Sequence, residues 1–216
     1  MAETNREKHE ETYQAAVARL REDSPAQIAE RAGGLWLPAE SDSNQGRGRL
    51  EMRSLGRDLV VRWPDLTFES SWPFLLSFPW RLMALHYLAE VGASEPGREW
   101  IGYRELPDGL FYANTVTREV EQPLAERYGK NTEAFMAAGE QLHGAPLDLA
   151  DAAFVVHPFP KLPVVFALWG EDEEFPAKAK VLYERTGAQN LPLQDLRIVA
   201  ELMGCLLLEP ETSAGG

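Results

Sequence analysis

Cysteine is almost missing from this sequence: Cys205 is the only one in 216 residues. An intrachain disulfide is therefore impossible, and a cysteine-rich metal cluster is excluded. A reducing, cytoplasmic setting is the simplest expectation. Cys205 itself sits in an apolar stretch, Met203 to Leu207, where a thiol is normally inert. Long apolar runs are missing too. Leu202–Leu208 is among the longest, and it falls far short of the about 20 residues that span a bilayer. Residues 1–12 are charged rather than apolar, so no signal peptide is expected. Positive charge is scarce. Lys and Arg number 21 against 34 Asp and Glu, which leaves a net charge of -13. Such a surface repels phosphate backbones and anionic lipid, so neither nucleic acid nor a membrane is an expected partner.

The common enzyme signatures are absent as well. There is no phosphate loop, no nucleophile elbow, no zinc-protease HExxH and no GxGxxG dinucleotide fingerprint. Gly46-Arg47-Gly48 is too short to stand for any of them.

What remains is the composition of an ordinary soluble globular protein, 44% hydrophobic and 25% charged. The length suits one domain, 1–216, with a core large enough to need no staple. Residues 6–22 read as a helix, with Tyr13, Ala16, Val17 and Leu20 on one face. Ser24-Pro25-Ala26-Gln27 has the form of a capping box opening a short helix that stops at Gly33-Gly34. Flexible segments are expected at 1–5, 41–48 and 210–216. Residues 49–55 and 58–63 read as a hairpin turning at Gly56, with Leu50, Met52, Leu59 and Val61 on its apolar face. Residues 65–71 extend that sheet. Pro79–Val91 is expected to be the central core helix. A breaker-rich stretch, 95–109, follows, then a short strand at 110–116 and helices at 117–128 and 132–143, the last capped by Asn131.

The clearest strands are 153–157 and 164–169, separated by Pro158, Pro160 and Pro163. Four acids follow, Glu171 to Glu174, then a helix at 176–185 and a last helix at 192–208. Strands and helices come in blocks. This pattern predicts an α+β fold, a largely antiparallel sheet of hairpins packed against several helices.

Four ordered motifs carry a family resemblance. They are Trp-Ile-Gly-Tyr-Arg-Glu-Leu-Pro at 100–107, Pro-Leu-Ala-Glu-Arg-Tyr-Gly at 123–129, the block 160–176, and Leu-Pro-Leu-Gln-Asp-Leu at 191–196. Together they resemble the domain-of-unknown-function family numbered 3786, over most of residues 10–208. Its members occur chiefly in anaerobic bacteria and archaea. Some carry a fused iron–sulfur module of the kind seen in corrinoid iron–sulfur proteins. The resemblance implies no catalytic residues. It implies an accessory role near corrinoid or iron–sulfur metabolism, with a corrinoid or metal as the candidate cofactor. This chain has no cysteine cluster, so such a metal would sit on a partner or come with a bound cofactor.

Several constellations are candidates for a site, each with a structural alternative. Asp172, Glu173 and Glu174, with Glu171 and Trp169 before them, could bind a cation, move protons or meet a basic partner. Equally, acids before the helix at 176–185 satisfy its dipole. His157 at a strand end and His86 on the core helix are candidate ligands or proton carriers, or else packed histidines bonded to nearby carbonyls. His9 and His143 read as surface residues. Tyr103, Arg104 and Glu105 could clamp an anion, or pin their own loop. The six tryptophans are mostly core and rim, but Trp72, Phe74, Phe78 and Trp80 concentrate aromatics in an expected exposed patch. Two functional readings follow. One is a non-catalytic binding or accessory protein that holds a small ligand or docks on a protein partner. The other is an enzyme of unrecognised type using an acidic cleft around 157–174.

Overall fold

The computed structural model describes residues 2–40 and 46–209, with side chains described from residue 11 onward. Met1, residues 41–45 and residues 210–216 lie outside the described residues, which takes in all of the expected flexible segment 210–216 and most of 41–48, whereas residues 2–5 of the expected flexible segment 1–5 lie in a helix. The chain divides into two compact units, each containing one sheet of hairpins. The α+β expectation holds.

The first unit comprises Met1–Glu95, Phe159–Lys161 and Gln189–Pro192. Helix α1, Ala2–Leu20, begins earlier than the periodicity indicates and buries Ala16, Val17 and Leu20. Helix α2, Pro25–Arg31, opens on proline and ends just before Gly33, whose φ of 69° is left-handed. The expected capping box does not form. The Ser24 side chain makes no cap hydrogen bond, and its carbonyl instead accepts the Ile28 N–H at 3.0 Å.

A four-stranded meander follows: β1 Leu35–Pro38, β2 Gly48–Ser54, β3 Arg57–Trp63 and β4 Thr67–Glu69. Leu55 and Gly56 turn β2 into β3 with φ of 47° and 70°, the paired left-handed conformation that matches strand twist. Leu50, Met52, Leu59 and Val61 are all buried, as their alternation requires. Strand β1 escapes a sequence reading because its four residues pair with β2 only across the polar insertion.

Helix α3, Phe78–Glu90, buries every residue from Leu82 to Leu88, so it is a core helix on all sides. The expected exposed aromatic patch is instead sewn into this core. Trp80 is fully buried and donates its indole N–H to Ser54 Oγ at 3.0 Å. Phe74 lies 4.9 Å from both Trp72 and Trp80, and the Arg57 guanidinium covers Trp72 at 4.0 Å. Phe78 alone of these four aromatics is exposed.

The second unit comprises Pro96–Pro158, Leu162–Ala188 and Leu193–Gly216. Its sheet runs β5 (Trp100–Gly102), β9 (Lys178–Glu184), β8 (Leu162–Trp169), β7 (Ala152–Phe159) and β6 (Ala145–Pro146). Strands β7 and β8 are longer than expected. Only Pro160 and Lys161 turn between them, while Pro158 and Pro163 sit within the strands.

Helices α4 (Ala113–Val116) and α5 (Gln122–Tyr128) are joined through a π-helical turn, Thr117–Glu121. Helices α6 (Thr132–Gln141) and α7 (Leu193–Leu208) complete the unit. Asn131 caps α6 as expected, its Oδ1 accepting the Ala134 N–H at 2.9 Å. On the helix-covered face, Phe154 stacks on Phe166 and meets Phe135 at 4.9 Å. Gly139 lets α6 approach that ring: a Cβ there would lie 2.5 Å from Phe154 Cδ1.

Two expectations fail in this unit. Residues 110–116 hold the end of a 3-10 turn and the whole of α4, not a strand. The Leu-Phe-Tyr run at 110–112 has strand-like composition, but all three side chains are exposed, with no buried face to pair. Residues 176–185 contain strand β9, not a helix. Lys, Ala and Leu favour helix intrinsically. The ladder to β8 overrides that preference and buries Ala179, Val181 and Tyr183 in strict alternation.

Candidate functional site

Strand β8 ends at Trp169, whose partner in β9 is Lys178. The acid run therefore lies on the loop of an antiparallel hairpin. With no helix following it, the helix-dipole explanation fails. Turn chemistry replaces it. Asp172 Oδ1 accepts the N–H groups of Glu174 and Phe175 at 2.8 and 2.7 Å, and its own N–H donates to the Phe175 carbonyl at 3.0 Å. The Glu171 N–H donates to the Gly129 carbonyl at 3.0 Å, and its carboxylate lies 3.3 Å from Lys130 Nζ. Gly170 donates to Asp151 at 2.9 Å. Glu173 and Glu174 are exposed to solvent.

A groove of about 740 Å³ opens at this hairpin end, lined among others by Asp151, Trp169, Asp172, Phe175 and Lys178. Its aromatic walls face outward: Phe175 is 66% exposed and Trp169 37%. Lys178 Nζ stands 6.0 Å from the Trp169 ring centroid.

The other candidate residues do not line this groove. His157 is exposed on β7, yet partial loss of water around its ring lowers its pKa below the ordinary histidine value. Tyr103, Arg104 and Glu105 form a 3-10 turn after β5. Here Glu105 pins the loop through its backbone rather than by pairing with another charge. Glu105 accepts the Gly102 N–H at 2.7 Å, and Tyr103 Oη donates to the Leu193 carbonyl at 2.7 Å. Burial pushes the Tyr103 phenol up to about 12, with nearby Arg197 opposing. Arg104 is exposed. His86 is buried on α3, in the first unit, while His157 belongs to the second. Among the described residues, no group of three or more His, Cys, Asp or Glu is placed to hold a metal ion. Partial burial, then Glu209 and Glu201, raise the Cys205 thiol pKa, which keeps it protonated.

Two of the buried charges that escape a sequence reading are Glu121 and Lys161. Glu121, at the end of the π-helical turn, is 6% exposed. Its carboxylate accepts from Lys180 Nζ at 2.7 Å, Thr117 Oγ1 at 2.8 Å and the Val181 N–H at 3.3 Å. Strand β5 covers β9 only as far as Leu182, so this carboxylate satisfies the next edge donor. Lys161 is the second, at the β7–β8 turn and 5% exposed. Its signal in the sequence is a lone cation within the otherwise apolar run from Phe159 to Trp169.

No curated protein and no solved structure matches this chain. A family model described as a domain of unknown function, DUF3786, matches residues 24–204, and the chain belongs to that family.

Proposed function

We propose that this protein is a non-catalytic binding or accessory protein, and that the hairpin-end groove of its second unit docks a segment of a protein partner. One observation carries the reading: the groove leaves Trp169 and Phe175 exposed while Asp151 and Asp172 are already committed to the loop's own backbone. Outward aromatic walls supply contact area. One oxygen of each carboxylate already serves the loop's own backbone. The partner segment is one that presents Lys or Arg beside an aromatic or aliphatic anchor. The exposed Glu173 and Glu174, between Asp172 and Phe175 in the loop, complement that charge.

An accessory role beside corrinoid or iron–sulfur metabolism is compatible with this reading. The donors among the described residues do not make a metal site, so the partner would carry the metallocofactor. An enzyme drawing on 157–174 finds less support, since His157 does not line the groove.

Selection from a random peptide display library tests the reading, with the Trp169→Ala/Phe175→Ala double variant as control. Peptides pairing a basic residue with an apolar anchor should be enriched on the native protein. Their affinity should fall with added salt. Enrichment that survives in the double variant would overturn the assignment. A gain in thermal stability on adding cobalamin or haem, retained in the double variant, would move the reading to a cofactor holder.

A further inference from the structure

The first unit contains a second groove, of about 480 Å³, lined by Gln27, Glu30, Arg31, Ala93, Glu95 and Lys161. Lys161 gives it an unusual character. Its side chain is only 7% exposed. Removing an ammonium from water is expensive unless its donors are met, so lysine is almost never found this deep without a reason.

The backbone of Lys161 is clamped on both sides. Its N–H donates to Tyr87 Oη at 3.1 Å, and Tyr87 in turn donates to the Ala32 carbonyl at 2.9 Å. Its carbonyl accepts from Asn190 Nδ2 at 2.9 Å, while Asn190 Oδ1 accepts the Gly92 N–H at 3.1 Å. Before the turn, Phe159 stacks on Tyr87 at 4.7 Å. A residue fixed this way presents its side chain in one direction, which is what a binding site needs.

The ammonium itself is less firmly held. Nζ donates to the Ala93 carbonyl at 3.2 Å and to Glu95 at 2.7 Å. Glu95 is 77% exposed, so its carboxylate exchanges readily with water. An ammonium has three donors, and these two partners leave one over. A second cation, Arg31, lines the same groove and uses one guanidinium nitrogen on Asp23 at 2.7 Å. Guanidinium has five donors, so most of its fork is uncommitted by that pair.

We infer that the Lys161–Arg31 groove binds a small oxyanion, a carboxylate or phosphate group of a low-molecular-weight ligand, and that Glu95 occupies the anion position when the ligand is absent. Lys161 supplies the buried charge and Arg31 the second point of contact. Glu95 acts as an internal competitor that keeps the ammonium partnered. This site lies in the first unit and is independent of the docking groove proposed for the second.

The test is calorimetric titration of the full chain with inorganic phosphate and, separately, with succinate, each against chloride at matched ionic strength. The Glu95→Gln variant removes the competitor. It should bind the preferred anion about two- to five-fold more tightly than the native protein, the range set by the strength of an exposed ion pair. Lys161→Met keeps the aliphatic stem and should abolish saturable binding, with circular dichroism checking that it folds. Preference for phosphate or for succinate distinguishes the two anion sources. Glu95→Gln binding neither anion saturably would overturn the proposal, even if Lys161→Met fails to fold. Equal affinity in native protein and Lys161→Met would overturn it too.

Discussion

Replacing Glu121 with alanine should destabilise the protein by about 2–4 kcal/mol, and the losses can be assigned one by one. The Val181 N–H, on a residue that is fully buried, loses its acceptor. A buried unsatisfied donor costs about 1–3 kcal/mol. Lys180 loses its ion pair, but its side chain is 34% exposed and regains water, so that loss is about 1 kcal/mol or less. Thr117 Oγ1 can turn back to a helix carbonyl, so its loss is small. For a protein of this length, such a change lowers Tm by about 2–4 °C per kcal/mol. Glu121→Gln keeps an acceptor for the strand edge and should recover more than half of the loss. Lys180→Ala should fall between, because it leaves a carboxylate that is 8% exposed without its cation. Urea unfolding followed by far-ultraviolet circular dichroism and by tryptophan fluorescence measures all three, and coincidence of the two probes justifies a single free energy. If Glu121→Gln were as damaging as Glu121→Ala, the carboxylate's charge would matter more than satisfaction of the strand edge. If Glu121→Ala were within about 0.5 kcal/mol of native, the typical scatter of a surface substitution, the edge argument would be refuted.

Gly139→Ala should destabilise despite alanine's better helix propensity. The added Cβ meets three ring atoms of Phe154 at 2.5–2.7 Å, and overpacking of about 1–3 kcal/mol outweighs a propensity gain of about 1 kcal/mol; Gly139→Ala combined with Phe154→Leu, which relieves the clash, should be less than additive in the same unfolding assay. Alkaline titration offers another check. Burial raises the phenol pKa of Tyr87 and Tyr183, and that of Tyr103 to about 12. Each favours the folded state fully below the unfolded value near pH 10, and the contribution falls away as pH rises through the folded value. Absorbance should show these phenols ionising only with unfolding, so independent ionisation in native protein would contradict their burial.

Legibility tracked how locally each element was determined. The β2–β3 hairpin could be read because alternation, a glycine turn and four apolar positions agree within one short segment. The same holds for α3 and α7. Strand β9 could not be read by propensity, since Lys178-Ala179-Lys180-Val181-Leu182 suits a helix as well as a strand. The arbiter is the long-range ladder to β8. The alternation of Ala179, Val181 and Tyr183 was nevertheless present in the sequence. Strand β5 is three residues in a breaker-rich stretch and exists only because β9 offers an edge. The site followed the same rule. Trp169 and Asp172 were legible because they flank one turn, and the structure sets both on one groove. Glu121 was not, because nothing local distinguishes it from a surface charge, and the one signal for Lys161 is its place as a lone cation in an apolar run.

The β9 result changes what the four acids mean. Before a helix, a run of carboxylates needs no further reason, since the dipole rewards each of them. On a hairpin loop that reward is gone. Asp172 is accounted for by the two N–H groups it accepts, and Glu171 by Lys130. Among the described residues, none partners the Glu173 or Glu174 carboxylate. Two adjacent exposed carboxylates repel each other weakly in water, so the fold gains little from them. They stand beside Phe175, an aromatic ring that is 66% exposed at a turn where a polar residue would cost nothing. An apolar anchor and two acids on one loop tip make poor sense as folding devices. They fit the docking surface proposed above, with a partner segment that is basic and apolar. Glu173→Lys/Glu174→Lys should therefore leave stability unchanged while abolishing selection of basic peptides, and retention of that selection would leave the aromatics alone as the docking determinant.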